Sequence, residues 1–303
     1  MKKLVILTCL VFAIQAGCQK PSPLTVEPPV ESPAGSLLVT VLGSPDTNIT
    51  VSPIDSTGVL PTDQTGYSGL FLVNTMKYDN GHGVLSLAYA SAYFGDRNRP
   101  LLVNGKVVGY YGIDLMPFSA SPLKLGTINL GTINMERYPY RIHIGSRDTT
   151  FGYMYRASLS PSSLKPKTSC DWDDPVPDSR LNGFKDSVQT PEDLIVQDPA
   201  GGSVLSRSKQ LDLRWSGSGK IVIVISTFNT VTGKTRPVLQ LQPAFNTGRA
   251  VIDPHVLQLL PQVRNFVFTF IIANRFDRLL GGMPKDRILV QAASVHNSYV
   301  QLQ

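Results

Sequence analysis

The sequence predicts an all-β protein. Short alternating or wholly apolar runs recur from Leu37 to the end, Gly, Pro, Asn and Asp punctuate them at close intervals, and helical periodicity is nearly absent. A Pro-, Ser- and Asp-rich stretch interrupts this texture and divides it into two expected β domains, 37–160 and 194–303, with 161–193 as a linker too long for a routine connection. The first domain is expected to be a β-sandwich or barrel and the second a sandwich. Each is expected to carry its own core, so that a fragment beginning near Pro191 would fold alone.

In the first domain, strands are expected at Leu37–Leu42, Ile49–Pro53, Leu70–Met76, Val84–Tyr93, Leu101–Val103, Lys106–Tyr111, Ile128–Ile133, Tyr140–Ile144 and Phe151–Ala157. Asp79-Asn80-Gly81-His82-Gly83 reads as a glycine-bearing hairpin loop. Asn104-Gly105 is the preferred pair for a two-residue type I′ turn. The tandem Gly126-Thr127-Ile128-Asn129 and Gly131-Thr132-Ile133-Asn134 is too short to be a repeat architecture and reads as a local strand feature with a bend at Gly131.

In the second domain, Leu211, Leu213 and Trp215 alternate with Asp212 and Arg214. A Ser-Gly turn and the apolar run Ile221–Ile225 follow, which reads as a hairpin with Trp215 as a core anchor. Further strands are expected at Val238–Leu241, Ala250–Ile252, Phe266–Ile272, Ile288–Ala293 and Tyr299–Leu302. Asp253-Pro254 announces one capped helical turn, with Asp as N-cap and Pro at the first helical position. LDLRW at 211–215, RILVQAAS at 287–294 and YVQL at 299–302 resemble an immunoglobulin-like or fibronectin type III sandwich. The resemblance implies a module that binds, spaces or presents. It lacks the inter-sheet cysteine pair and tyrosine corner of antibody domains.

The N-terminus carries a different kind of information. Lys2 and Lys3 precede the apolar run Leu4–Ile14, and Ala16 and Gly17 precede Cys18. The run is too short to span a bilayer. This segment resembles the signal peptide and lipobox of bacterial lipoproteins, although Gln15 stands where the family usually has an apolar residue; an ordinary secretory signal is the alternative. The resemblance implies removal of 1–17, lipidation of Cys18 with palmitate among its acyl chains, and, since Gln19 rather than Asp follows, residence in the outer membrane. Residues 18–36 are rich in Pro and Ser and read as a tether, about 17 residues of which reach on the order of 50 Å when extended.

Charge and cysteine content narrow the functional classes. The formal net charge of +6 includes Lys2 and Lys3, and the other basic residues are scattered, which argues against nucleic acid as a partner. The expected partners are the membrane, through the lipid, and a polysaccharide or protein of the envelope. Of the three cysteines, Cys9 leaves with the signal and Cys18 carries lipid. Cys170 is then without a disulfide partner and reads as an incidental loop cysteine among acids that discourage the thiolate.

Catalytic motifs are missing from the sequence. There is no GxSxG, HExxH or phosphate-cradling glycine loop, and His82, His143, His255 and His296 lie in different elements. No cofactor is expected. Asp171, Asp173 and Asp174 form a dense carboxylate cluster with hard oxygen donors, a weak calcium candidate that lacks the DxDxDG pattern. Aromatics concentrate in the first domain, and Tyr89, Tyr93, Tyr110 and Tyr111 are the candidate ligand surface, read against the simpler role of core and cross-strand pairs. The expected function is that of a non-catalytic envelope lipoprotein that binds or presents a ligand. A carbohydrate-active or peptidase lipoprotein with its site in the first domain, and a structural spacer, are the alternatives.

Overall fold

The computed structural model describes residues 37–42, 49–51, 67–103, 105–115, 123–128, 131–144, 147–173, 185–279 and 287–303. Cys18, the tether, Asn104 and Asp174 lie outside the described residues. In chain order the strands are β1 (Leu37–Val41), β2 (Ile49–Val51), β3 (Gly69–Asp79), β4 (Val84–Val103), β5 (Lys106–Gly112), β6 (Leu123–Ile128), β7 (Gly131–Ile144), β8 (Arg147–Leu159), β9 (Ser169–Asp173), β10 (Lys185–Gln189), β11 (Ile195–Asp198), β12 (Val204–Leu205), β13 (Leu211–Ser216), β14 (Ile221–Asn229), β15 (Lys234–Pro243), β16 (Arg249–Ile252), β17 (Asn265–Leu279) and β18 (Arg287–Leu302). One short helix, α1 (Pro254–Gln258), precedes β17, and Asp253 caps it by accepting the His255 N–H at 2.9 Å. The protein is thus nearly all β.

Strand pairing gives a 15-stranded sheet and a separate three-stranded sheet in the order β11-β13-β16. The large sheet runs β1-β15-β14-β17-β18-β3-β4-β8-β7-β6-β9-β10, with β2, β5 and β12 paired at its sides. Two cores lie within the unit Gly35–Gln303. The first gathers Phe71 and Val73 from β3, Ala88 to Phe94 from β4, Met135, Tyr155, Trp172 and Val188, together with Ile288, Val290 and Ala292 of β18. Its strands curl until β10 returns to β17, where Asn274 Nδ2 donates to the Gln189 carbonyl at 2.8 Å and Arg278 pairs with Asp186. The second is a sandwich core: Leu213, Trp215 and Ile252 of the small sheet face Ile221, Ile223, Ile225, Phe266, Phe268 and Phe270 of the large one, with Val300 and Leu302 of β18 at its border.

The two sequence halves therefore correspond to two cores that share one sheet. β3 pairs in parallel with β18 from Gly69↔Ile288 to Asp79↔Ser298, and β1 pairs with β15. A fragment beginning near Pro191 would lack both β1 and β3.

Several local expectations take a different form. The LDLRW strand and the Ile221 strand do not form a hairpin: β13 pairs with β11 and β16, and β14 pairs with β15 and β17. The Ser216–Gly219 turn instead crosses between layers, which lets the apolar sides of both strands face each other across the core. The 161–193 stretch is not a simple linker, since it contains β9 and β10, which pair with each other, β9 pairing on its other side with β6. The tandem repeat is two arms of one hairpin, with Thr127 opposite Thr132 and Ile128 opposite Gly131. Its irregularity falls between Lys124 and Thr127, where a Cβ at Gly126 would lie 1.7 Å from the Asp171 carbonyl oxygen. At the expected two-residue turn, Val103 faces Lys106 and Gly105 has φ of 75°.

Trp215 anchors the second core. Its ring lies 5.9 Å from that of Phe270, and its Nε1 donates to Asn246 Oδ1 at 2.8 Å. Asn246 Nδ2 in turn donates to the carbonyls of Gly217 and Gly219 at 2.9 and 2.8 Å, pinning the inter-layer turn. Trp215→Ala removes both the packing and the bond, and should lower unfolding stability in urea by about 3–5 kcal/mol. A variant as stable as its parent would show that the side chain does not carry the core.

Candidate functional site

Tyr93, Tyr110 and Tyr111 come together where β4, β5 and β8 cross. Tyr93 Oη donates to the Tyr110 carbonyl, and the Tyr111 ring packs edge-on against Phe151 at 5.1 Å. The backbones approach closely here: at Gly152, whose φ is 107°, a Cβ would lie 2.1 Å from the Gly112 carbonyl oxygen. Arg97 stacks over Tyr110 at 5.6 Å and Arg99 over Tyr111 at 4.3 Å, while Arg137 lies 4.3 Å from the Tyr153 ring and pairs with Asp114 at 2.7 Å. Arginines of the chain thus lie against these faces. Tyr89 is not part of this group, because its hydroxyl accepts from Asn74 Nδ2 at 3.0 Å and its ring borders the cluster of Met76, Val222 and Val224.

Asp171 and Asp173 of the weak calcium candidate sit on a strand rather than on a loop. β9 alternates, burying Cys170 and Trp172 in the first core and exposing Asp171 and Asp173 on the opposite face. Asp171 accepts from Ser169 Oγ at 2.8 Å, and Asp173 faces Lys185 across the ladder. Among the described residues no group of three His, Cys, Asp or Glu side chains is arranged to hold a metal ion. Cys170 is a core strand residue rather than a loop cysteine. Burial, followed by the neighbouring Asp171 carboxylate, pushes its thiol up to about 12.

A site that the sequence did not single out lies at the end of the sheet where β3, β14 and β18 finish and β17 begins. There a cavity of about 520 Å³ opens, within the size range of small-molecule sites. Tyr78, Phe228 and Tyr299 supply its rings, and Phe228 meets Tyr299 edge to face at 5.0 Å. Asn80, Thr230, Asn265 and Gln301 add amides and a hydroxyl, and Leu85 stands exposed at its edge. Burial, with a smaller contribution from Tyr78, pushes the Tyr299 phenol above its ordinary value, which keeps it a neutral hydrogen-bonding group. The pairing of β3 with β18 builds this site by setting Tyr78 beside Asn297, two residues before Tyr299. Tyr299 was legible only as a strand residue.

His296, one of the four scattered histidines, is buried in the sheet. Its Nδ1 accepts the Val196 N–H at 3.5 Å, and the adjacent Ser294 Oγ accepts the Leu194 N–H at 3.0 Å. Burial first, then the nearby Lys77 charge, holds the imidazole below its ordinary value.

No protein-family model and no curated protein matches the chain. Among solved structures, the yeast delta-COP-I mu-homology domain complexed with Dsl1 WxWxV peptide is similar at 10% identity and a TM-score of 0.23, over 78% of this chain and 98% of that one. A likeness so distant bears on neither fold nor function.

The position of Cys170 gives a direct chemical test. In the native protein at pH 8, iodoacetamide should leave Cys170 unmodified over hours, whereas urea should expose it to complete alkylation, as read by peptide mass spectrometry. Rapid native labelling would place the thiol at the surface.

Proposed function

We propose that the protein is a non-catalytic, lipid-anchored component of the bacterial cell envelope, held in the outer membrane, that binds or presents a ligand or partner at the membrane surface. The observation that carries this is the N-terminal run of Lys2, Lys3, Leu4–Ile14, Ala16, Gly17 and Cys18, followed by a Pro- and Ser-rich tether. Each buried methylene of an acyl chain contributes about 0.8 kcal/mol, so multiple chains on Cys18 hold the protein at the bilayer. Among the described residues no helix is long and apolar enough to cross a membrane. The non-catalytic assignment rests on the sequence, which carries no GxSxG, HExxH or phosphate-cradling glycine motif. An all-β body with a cavity lined by rings and amides supports binding. Cells fed radiolabelled palmitate should incorporate label into the wild type, which should fractionate with the outer membrane. Cys18→Ala should lose the label and leave the membrane fraction. Label unchanged in Cys18→Ala would overturn the anchor.

A further inference from the structure

We infer that the cavity between Tyr78, Phe228 and Tyr299 is a binding site for a neutral saccharide. This rests on the binding role proposed above and supplies its ligand class. Three features of the site select the chemistry. First, among the described residues none that lines the cavity carries a formal charge, so an anionic or cationic ligand would be desolvated there without a counter-charge. Second, Asn80, Thr230, Asn265 and Gln301 surround the rings with uncharged donors and acceptors. Gln301 is held in place by Arg264, whose Nε donates to its Oε1 at 2.9 Å, leaving the amide N–H groups to donate to a ligand. A wholly apolar ligand would leave such groups unpaired, whereas the hydroxyls of a sugar satisfy them. Third, Phe228 and Tyr299 meet edge to face at 75°, forming an aromatic wall against which the C–H side of a pyranose ring can pack, while Gly83 and Gly202 in the wall let the ligand approach the backbone.

The test uses the full chain in the sugar-free detergent C12E8 and isothermal titration with cellotriose, maltotriose and triacetylchitotriose. At least one should bind saturably with a Kd below about 1 mM. Tyr299→Ala should weaken it about tenfold or more, and Tyr299→Phe much less. Leu85→Trp, at a position 59% exposed and therefore tolerant of the change, should block the mouth and abolish the heat without altering the circular dichroism. No saturable heat from any of the three sugars, or binding unchanged in both Tyr299→Ala and Leu85→Trp, overturns the proposal. So does a response to acetyl-tryptophan amide with none to the sugars. Palmitate labelling reads the anchor independently, so loss of sugar binding and loss of the lipoprotein assignment are separate outcomes.

Discussion

The parallel pairing of β3 with β18 is the interaction on which the other features of the fold depend. It joins residues more than two hundred positions apart, from Gly69↔Ile288 to Asp79↔Ser298, and places the centre of the large sheet where the two halves of the chain meet. Parallel pairing over such a separation carries a large loop-closure cost, offset here by burial on both faces of β18. One face contributes Ile288, Val290 and Ala292 to the first core and Val300 and Leu302 to the second. The other contributes Leu289, Ala293 and Val295 to smaller clusters with Leu70, Leu72 and Met76. The cavity at the end of the sheet exists because this register sets Tyr78 near Tyr299.

Between its two apolar stretches, the core-facing side of β18 carries Ser294, His296 and Ser298, all buried. The chain crosses this polar gap at Leu194 and Val196, and their N–H groups find their acceptors on Ser294 and His296. Buried polar groups are tolerated where such bonds are made, and these bonds fix where the connection between the cores lies. Lys77 adds a lock from β3, pairing with Asp193 at 2.6 Å and donating to the Leu194 carbonyl at 3.2 Å. His296 binds its proton less readily when folded than when unfolded. The stability it supports is therefore fully present above the unfolded pKa, about 6.5, and is lost as pH falls from there through the lower folded-state pKa, because the unfolded chain takes up the proton first and the folded Nδ1, once protonated, can no longer accept from Val196.

The all-β class was legible because alternation and turn chemistry are local. The Asp253 cap, the Gly105 turn and the burial of Trp215 followed from a few adjacent residues each. Partnership between strands was not legible. LDLRW and IVIVI are compatible with a hairpin or with opposite layers of a sandwich, and only the packing of Trp215 on Phe270 decides between them. β18 was divided into Ile288–Ala293 and Tyr299–Leu302 because Ser294, His296 and Ser298 interrupt its hydrophobicity, although they are buried at the junction of the cores. Cys170-Asp171-Trp172-Asp173 presented its acids as a cluster, while the same four residues form a period-two strand with one buried and one exposed face. The candidate site was the least legible, since its rings come from β3, β14 and β18, whose ends meet only through long-range register.

The central claim is that β3–β18 pairing couples the two cores into one cooperative structure, and each core holds one of the two tryptophans, Trp172 in the first and Trp215 in the second. Urea unfolding of Trp215→Phe and of Trp172→Phe, followed in each variant by the remaining tryptophan's fluorescence and by circular dichroism, measures that coupling directly. Coincident transitions by both probes in both variants are predicted. A tryptophan that unfolds at a urea concentration distinct from the rest of the β signal would show that the cores are independent and contradict the account.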